Sequence, residues 1–355
     1  MKWPQGLRLQ TLALASILLA LCAAPPAALA QAGSSPVPVV FDTDMDFDDS
    51  AALAYLAGAH KLGLIDLKAV TVTSAGNGYS GSAIRHARCI LQRVGLPDIP
   101  VADSTAKGMH AFPPEARLAV DLVLEDVLLG CLQPATHSAE SAPALLARMA
   151  NAEHGHLVVI ATGPLTDVAA ALPLLRPVPG QALPLNRLYI MGGTIHRAGN
   201  LCCTTTLPYD NTQELNIWAD PAAAQAVFTA LGPVVSLVPL DATAYVPITE
   251  GYVGNINLIW NQTTAEAKLV VAIVDNPIVQ AGILDGLAFW WDPLAAVAAT
   301  RAGVVSYQPA TVSVIQTGAS SGRVQLTPGG APLRYAGFAN QALFEQDFLD
   351  VLNER

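Results

Sequence analysis

The chain has 355 residues, a formal net charge of −10 and a hydrophobic fraction of 52%. This length is ample for a large apolar core. The net negative charge argues against a nucleic-acid partner, because binding to nucleic-acid phosphates needs a basic surface. It is compatible with small neutral substrates. We find no internal repeat and no long linker, so one folded domain is the simplest interpretation.

The first 30 residues are typical of a signal peptide. A positively charged start precedes an apolar run over residues 11–21, which is short for a membrane span, and residues 28–30 form a small-residue cleavage site. A retained membrane anchor and lipidation at Cys22 are the alternatives. We therefore expect a secreted or periplasmic protein, with no stable membrane insertion after signal cleavage and a catalytic domain spanning residues 31–355.

Strands and helices alternate along this domain. The strands are apolar runs without alternation, which suit strands buried on both faces of a sheet. The predicted strands cover residues 37–41, 67–73, 99–102, 156–161, 187–191 and 234–240, and the predicted helices cover residues 50–63, 82–94, 165–175 and 221–230. This order predicts an α/β fold, a single domain with a mostly parallel central sheet flanked by helices.

Polar or glycine-rich residues directly follow five of these strands. In parallel sheets, ligands bind outside the carboxyl ends of the strands. We therefore expect these residues to share one rim of the sheet and to form the active site there. They are residues 42–49, Asn77, Thr162, Gly192 with Gly193, and Asp241.

Five aspartates fall within residues 42–49. Like charges at this density raise one another's pKa or recruit a cation. Carboxylate oxygens without nearby Cys or His select calcium or magnesium over zinc, so we expect a hard-cation site rather than a solvated acidic turn. The segment lacks the central Gly and distal Glu of an EF-hand. A phosphotransferase with an Asp nucleophile would need a downstream lysine, and none occurs between Lys107 and Lys268.

The acidic segment and several later segments, in order, resemble the nucleoside hydrolase family. Residues 42–49 resemble its Asp-x-Asp-x-x-x-Asp-Asp signature, and the matches run from residue 39 to about residue 297. The other matching segments are Gly76-Asn77, residues 161–166, Met191-Gly192-Gly193, Gly199-Asn200, residues 214–217, Asp220-Pro221 and residues 291–295.

The resemblance implies a Ca2+-dependent enzyme that cleaves the N-glycosidic bond of small-molecule ribonucleosides to free base and ribose. The implied Ca2+ ligands are the carboxylates of Asp44, Asp49 and Asp292 and the backbone carbonyl of Thr162. The ion would hold the ribose and acidify the attacking water, from which Asp44 would take a proton as general base. The implied ribose-binding residues are Asp48, Asn77, Met191, Asn200, Glu214 and Asn216. We also expect a homo-oligomer, either a dimer or a tetramer.

Trp291 stands where many family members carry a His that helps the base to leave, and no His follows His196. This departure resembles the purine-preferring branch, in which a Trp stacks on the base. We therefore expect Trp291 to bind a purine. The same branch implies a second aromatic residue that stacks on the base, but Ala116 stands at its place in this chain. His110 and Phe112 are the candidates to supply that aromatic ring instead.

Two alternatives to a purine-preferring hydrolase stay open at this point. One is a pyrimidine or broad-specificity nucleoside hydrolase, and the other is a secreted nucleoside- or ribose-binding protein without turnover. Adjacent Trp290 and Trp291 are expected to face different ways, with at least one of them in the core.

Four cysteines remain after residue 30, and an oxidising compartment permits a disulfide between them. The sequence leaves two alternatives, a bond from Cys131 to either Cys202 or Cys203, or buried free thiols that include Cys89. The segment 201–213 lies between ribose-binding candidates and is predicted to cover the pocket.

Overall fold

A nine-stranded sheet forms the centre of the fold. The computed structural model describes residues 35–355 except 132, 135, 179, 181, 182 and 202–206, so the predicted signal peptide lies outside the described residues. The strands are β1 Val37–Thr43, β2 Ile65–Val72, β3 Val101–Asp103, β4 Val158–Ala161, β5 Arg187–Met191, β6 Val235–Val238, β7 Val305–Val314, β8 Val324–Leu326 and β9 Ala331–Ala339.

The strand order is β3-β2-β1-β4-β5-β6-β9-β7-β8. All pairings from β3 through β9 are parallel, whereas β7 pairs antiparallel with both β9 and β8. Asp42 in β1 aligns with Thr71 in β2 and with Ala161 in β4. Because these central strands run the same way, their carboxyl ends lie at one edge of the sheet, and the predicted α/β fold with a mostly parallel sheet is confirmed.

The antiparallel strands after residue 304 were not predicted. Residues in β7 alternate between buried, partly buried and exposed positions. Such a strand lacks the continuous apolar run by which the central strands were recognised.

Helices pack on both faces of the sheet. They are α1 Phe47–Lys61, α2 Ser82–Arg93, α3 Pro114–Val127, α4 Ala142–Ala152, α5 Thr166–Ala171, α6 Leu215–Ala219, α7 Pro221–Leu231, α8 Leu240–Thr243, α9 Glu250–Ile256, α10 Ala265–Val274, α11 Pro277–Leu284, α12 Trp291–Thr300 and α13 Gln341–Leu352. Val39 and Phe41 belong to one apolar cluster and Val40 to another, because successive strand side chains point to opposite faces. Within the described residues, no single helix has the length and hydropathy of a membrane span, although α10 and α11 meet that test as a pair bent by 65°.

A disulfide joins α2 to the segment after α3. It links Cys89 to Cys131, whose Cα atoms lie 5.5 Å apart. The predicted pairing of Cys131 with Cys202 or Cys203 is therefore wrong, because the Cys131 sulfur is already bonded. Spacing in the sequence carries no information about which cysteines meet, and these two are 42 residues apart.

Candidate active site

A cavity of about 290 Å³ opens where the central parallel strands end. Its size is close to the lower end of the range for small-molecule sites. Asp49, one of the predicted calcium ligands, lies behind the wall, with its Oδ1 accepting a 2.5 Å hydrogen bond from the Thr162 hydroxyl. The other predicted site residues all line the cavity: Asp44, Asp48, Asn77, Thr162, Met191, Asn200, Glu214, Asn216, Trp291 and Asp292.

The acidic loop is shaped by the start of α1. Asp46 caps this helix by accepting from the N–H of Phe47, and Asp49 accepts from the N–H of Asp46 at 2.8 Å. This reciprocal capping fixes Asp48 and Asp49 in the first turn, where the positive end of the helix favours carboxylates. Met45 has a φ of 57°, in the left-handed region, so the chain turns sharply between Asp44 and the cap.

Three glycines allow neighbouring loops to close on Asp44. A Cβ on Gly76 would overlap the Asp44 Oδ2 atom, and one on Gly78 would overlap the Asp44 carbonyl oxygen. A Cβ on Gly163 would lie 2.9 Å from the Asp44 nitrogen. The loops after β2 and β4 reach Asp44 because they carry no side chain at these points.

The loop after β2 also donates hydrogen bonds to the acidic loop. The backbone N–H of Asn77 donates to Asp44 Oδ2 at 2.6 Å, and the Asn77 side-chain amide donates to Asp46 Oδ2 at 2.7 Å. Asp46 lines the cavity as well, so it both caps α1 and borders the site. One asparagine therefore fixes the direction of two carboxylates.

The carboxylates of this site are buried together. Burial raises the pKa of Asp44 well above its usual range, and repulsion from Asp49 raises it further. Burial likewise raises the pKa values of Asp48 and Asp292. Repulsion from Asp46 raises the pKa of Asp48 further, and repulsion from Asp48 raises that of Asp292 further. Burial also raises the pKa of Asp46 to about 7. No Lys, Arg or His among the described residues forms an ion pair with these groups. A hard divalent cation would relieve the repulsion, and oxygen donors suit Ca2+ or Mg2+ better than Zn2+.

Polar groups opposite the acidic loop are held by backbone hydrogen bonds. Glu214 caps α6 and accepts from the backbone N–H groups of Gly193 at 2.8 Å, Asn216 at 2.8 Å and Ile217 at 3.1 Å. The Asn216 amide donates to the Thr162 carbonyl at 2.7 Å. That carbonyl keeps a second lone pair, so its predicted role as a metal ligand is compatible with this hydrogen bond.

The remaining wall of the cavity is apolar. Trp291 lies here at the start of α12, with its ring 6.4 Å from that of Phe47 in an edge-to-face arrangement. No His, Lys or Arg from the described part of the chain lines the cavity. The other apolar lining residues are Ala116, Ala119, Val120, Val123, Leu215, Ile278, Val279, Gly282, Leu287 and Ala288.

Residues 39–340 match the family model described as inosine-uridine preferring nucleoside hydrolase. The chain belongs to this family. The predicted resemblance is thereby confirmed, and the matched range includes every residue assigned to the cavity.

Individual relatives agree with this assignment. Probable uridine nucleosidase 1 of Oryza sativa subsp. japonica is 29% identical over 215 residues, which are 60% of this chain and 61% of that protein. Pyrimidine-specific ribonucleoside hydrolase RihA of Photobacterium profundum is 31% identical over 239 residues, 64% of this chain and 69% of that protein. A second rice relative, probable uridine nucleosidase 2, is aligned over 59% of its length, so the chain spans about three fifths of the length of each rice protein.

A solved structure supports the same family. The crystal structure of inosine-uridine preferring nucleoside hydrolase from Bacillus anthracis superposes with a TM-score of 0.71 at 25% identity. The match covers 90% of this chain and 99% of that chain. The nine-stranded sheet and its helices are thus the fold of this family.

The two adjacent tryptophans face different ways, and one of them lies in the core, as expected. Trp290 is fully buried and packs on Tyr252 and Phe348 in the core, whereas the partly exposed Trp291 faces the cavity. Phe47 was missed by the sequence analysis. Its position between two aspartates at the start of a helix was the available signal.

The candidates for a second stacking aromatic are wrong. His110 and Phe112 pack against Trp218, with ring centroids 4.9 Å and 6.3 Å away, and neither lines the cavity. The reason is that Trp218 and its neighbours form a separate small apolar cluster. Ala116 does line the cavity, so this position is filled by a methyl group.

Asp241 also lies apart from the main cavity. It accepts backbone hydrogen bonds from Ile195 at 2.8 Å and His196 at 2.9 Å, and it borders a second cavity of about 430 Å³ with Tyr335 and Tyr245. Its strand does end at the predicted edge of the sheet, but Asp241 borders a different cavity from the acidic segment.

The predicted cover over the pocket stays a prediction. Residues 202–206, which include Cys202 and Cys203, lie outside the described residues. Of the described remainder, Leu201 and Tyr209 pack with the Trp218 cluster, and no residue from 207–213 lines the cavity.

A further group of potential metal ligands lies between α2 and α3. Atoms of His86, Asp121 and Glu125 lie within 4.8 Å of one another. The Arg85 guanidinium, however, contacts the same Glu125 oxygen that faces His86. That oxygen already has a cationic partner, so we interpret the group as an ion-pair network that joins the two helices.

Proposed function

We propose that this protein hydrolyses the N-glycosidic bond of ribonucleosides in a Ca2+-dependent reaction and releases free base and ribose. The observation that carries the proposal is the division of one cavity into a wall of carboxylates and amides and a wall of apolar and aromatic side chains. A nucleoside has the same division, because its sugar is a polyol and its base is an aromatic ring.

Ca2+ would be held by Asp44, Asp49, Asp292 and the Thr162 carbonyl. Asp44, Asp49 and Asp292 are each at most 5% exposed and have no ion-pair partner among the described residues, which supports a resident cation. When bound, Ca2+ would supply positive charge to the sugar hydroxyls and acidify a water molecule.

The chain's own groups would carry the remaining chemistry. Asp44, oriented by the N–H of Asn77, would take the proton from water as general base. Asn200, Glu214 and Asn216 would bind the ribose hydroxyls, since amides and carboxylates match a polyol that both donates and accepts. The buried carboxylates would stabilise the positive charge that develops on the sugar as the bond to the base breaks.

A preference for purines is the finer part of the proposal. The base would lie against Trp291 and Phe47 in a wall without an ionisable donor, so that binding rests on stacking and apolar contact. A purine offers the larger ring face for such contact. The second candidate is a pyrimidine preference, which is favoured by the names of the rice and Photobacterium relatives.

We also propose that the protein acts outside the cytoplasm. The signal-like composition of residues 1–30 and the disulfide between Cys89 and Cys131 support this location, because disulfides persist in oxidising compartments.

The test is to incubate the purified protein with inosine, guanosine, uridine and a phosphate monoester, with and without a chelator. We expect base release from nucleosides, loss of that release on chelation, and recovery with added Ca2+. Inosine and guanosine should give a higher kcat/KM than uridine, and the reverse order would favour the second candidate. Phosphate release, or nucleoside binding without base release, would contradict the proposed reaction.

Asp44→Asn should lower kcat by roughly 10²–10⁴-fold for every nucleoside, because a neutral amide cannot accept the proton. Asp66→Asn is the matched control, since Asp66 is a partly exposed aspartate on β2 that pairs with Lys68. Melting temperatures should show that both variants fold. Unchanged kcat in Asp44→Asn would rule out the general-base role.

A further inference from the structure

Arg117 connects the apolar wall of the cavity to the loop after β2. It lies in α3 beside Ala116, which lines the cavity. Its Nη2 atom donates to the carbonyl oxygens of Ser74 at 2.7 Å and Gly78 at 2.6 Å, and its Nε atom donates to the Asn77 carbonyl at 3.3 Å. One guanidinium thus binds three carbonyls within five residues of chain.

This loop is one of the two that contact Asp44. The N–H of Asn77 donates to Asp44 Oδ2, and Gly76 and Gly78 pack directly against Asp44. The carbonyls bound by Arg117 lie before and after that N–H in the chain. The guanidinium therefore fixes the orientation of the peptide units on either side of the hydrogen bond to Asp44.

The chemistry of arginine suits this position. Hydrogen bonds from a charged donor are stronger than neutral ones, and the planar guanidinium presents several N–H groups in fixed directions, which the ammonium of lysine does not. The guanidinium also lies 5.1 Å from the centre of the Tyr79 ring, which limits its movement on the other side.

We propose that Arg117 is a positioning residue for nucleoside hydrolysis, holding residues 74–78 so that the N–H of Asn77 keeps the Asp44 carboxylate in its catalytic direction. This inference rests on the proposed function. In this role Arg117 touches neither substrate nor metal and acts through the loop alone.

The chain offers a matched control in Arg93. Its guanidinium also donates to backbone carbonyls, those of Val127 and Leu129, both at 2.8 Å. These contacts join α2 to the end of α3, and Arg93 lines no part of the cavity. If such arginine–carbonyl contacts were purely structural, Arg117→Ala and Arg93→Ala would change kcat to a similar extent.

The experiment compares Arg117→Ala, Arg117→Lys and Arg93→Ala with the wild type in nucleoside kinetics and in amide hydrogen exchange. We expect Arg117→Ala to lower kcat by roughly 10–100-fold with a much smaller change in KM, because a misdirected catalytic group costs up to about that factor. Arg117→Lys should fall between Arg117→Ala and the wild type. Amides of residues 74–78 should exchange faster in Arg117→Ala, whereas Arg93→Ala should change neither kcat nor these amides.

Two results would overturn the inference. One is a kcat of Arg117→Ala equal to that of Arg93→Ala, and the other is unaltered exchange at residues 74–78. If the wild type itself releases no base, the proposed function fails, and amide exchange alone then decides whether Arg117 holds the loop. If Arg117→Ala does not fold, Arg117→Lys takes its place, and its kcat and its amide exchange at residues 74–78 are compared with those of Arg93→Ala in the same way.

Discussion

The polar and apolar halves of the cavity are built in different ways. The polar half lies at strand ends and helix starts, where carboxylates accept defined hydrogen bonds, such as those from Asn77 to Asp44 and from Gly193 to Glu214. The apolar half is formed mainly by residues on α3, α11 and the start of α12, which contribute methyl groups and rings. Hydrogen bonds are directional, whereas apolar contact depends mainly on the area covered.

This difference indicates how each half tolerates change. Displacement of a polar group by a fraction of an ångström weakens charge stabilisation and proton transfer in the transition state, so we expect the chemistry to depend on the polar half. Under the proposed function, substitution in the apolar half should change which base fits and leave the sugar chemistry in place. Base preference can therefore vary within one family while the reaction stays the same.

Among substitutions that leave the carboxylates in place, the largest effect should come from Gly76→Ala in the polar half. Its Cβ would overlap Asp44 Oδ2, so the loop must move away and the bond from Asn77 must lengthen. We expect kcat to fall by about 100-fold or more for purine and pyrimidine nucleosides alike. Gly254→Ala is the control, because a Cβ there meets nothing within 4 Å. A wild-type kcat in Gly76→Ala would contradict the expectation that the polar half is the more sensitive to small displacements.

A smaller and base-dependent effect is expected from Trp291→Ala. Loss of stacking on one ring should lower kcat/KM for inosine by roughly tenfold and lower that for uridine less. Trp291→Phe should recover part of the loss, and Trp260→Ala, at a position 60% exposed, should have no effect. An equal loss for both substrates would argue that Trp291 supports the polar half instead of the base.

The smallest effect on turnover should come from Cys131→Ser. Removal of a cross-link between residues 42 apart should lower the free energy of unfolding by about 2–4 kcal/mol, measured by denaturant titration. We expect kcat/KM at 25 °C to change by less than about twofold, because α3 is also held by side-chain contacts that remain. Cys89→Ser should reproduce the result. A large loss of turnover in either variant would indicate that the apolar half needs the disulfide for its shape.

Much of this organisation was predictable from the sequence, for a physical reason. The central strands are buried on both faces and read as continuous apolar runs, and the order of the motifs then identified the residues that line the cavity. Strand β7, by contrast, mixes exposed and buried positions and was not predicted. Asp241 follows a strand at the predicted edge of the sheet but borders a different cavity. The place of Phe47 and the pairing of Cys89 with Cys131 depend on contacts between distant segments, which local pattern does not encode.

The reciprocal capping by Asp46 and Asp49 has a consequence for any alanine scan of the acidic segment. These two side chains cap the N-terminus of α1, so replacing either lowers the free energy of unfolding by about 0.5–2 kcal/mol. The same replacement also removes a charge from the site. Loss of turnover at Asp46 or Asp49 would therefore combine weakened folding with altered chemistry. Asp44 and Asp48 carry no part of this cap, and their variants report on the reaction more directly.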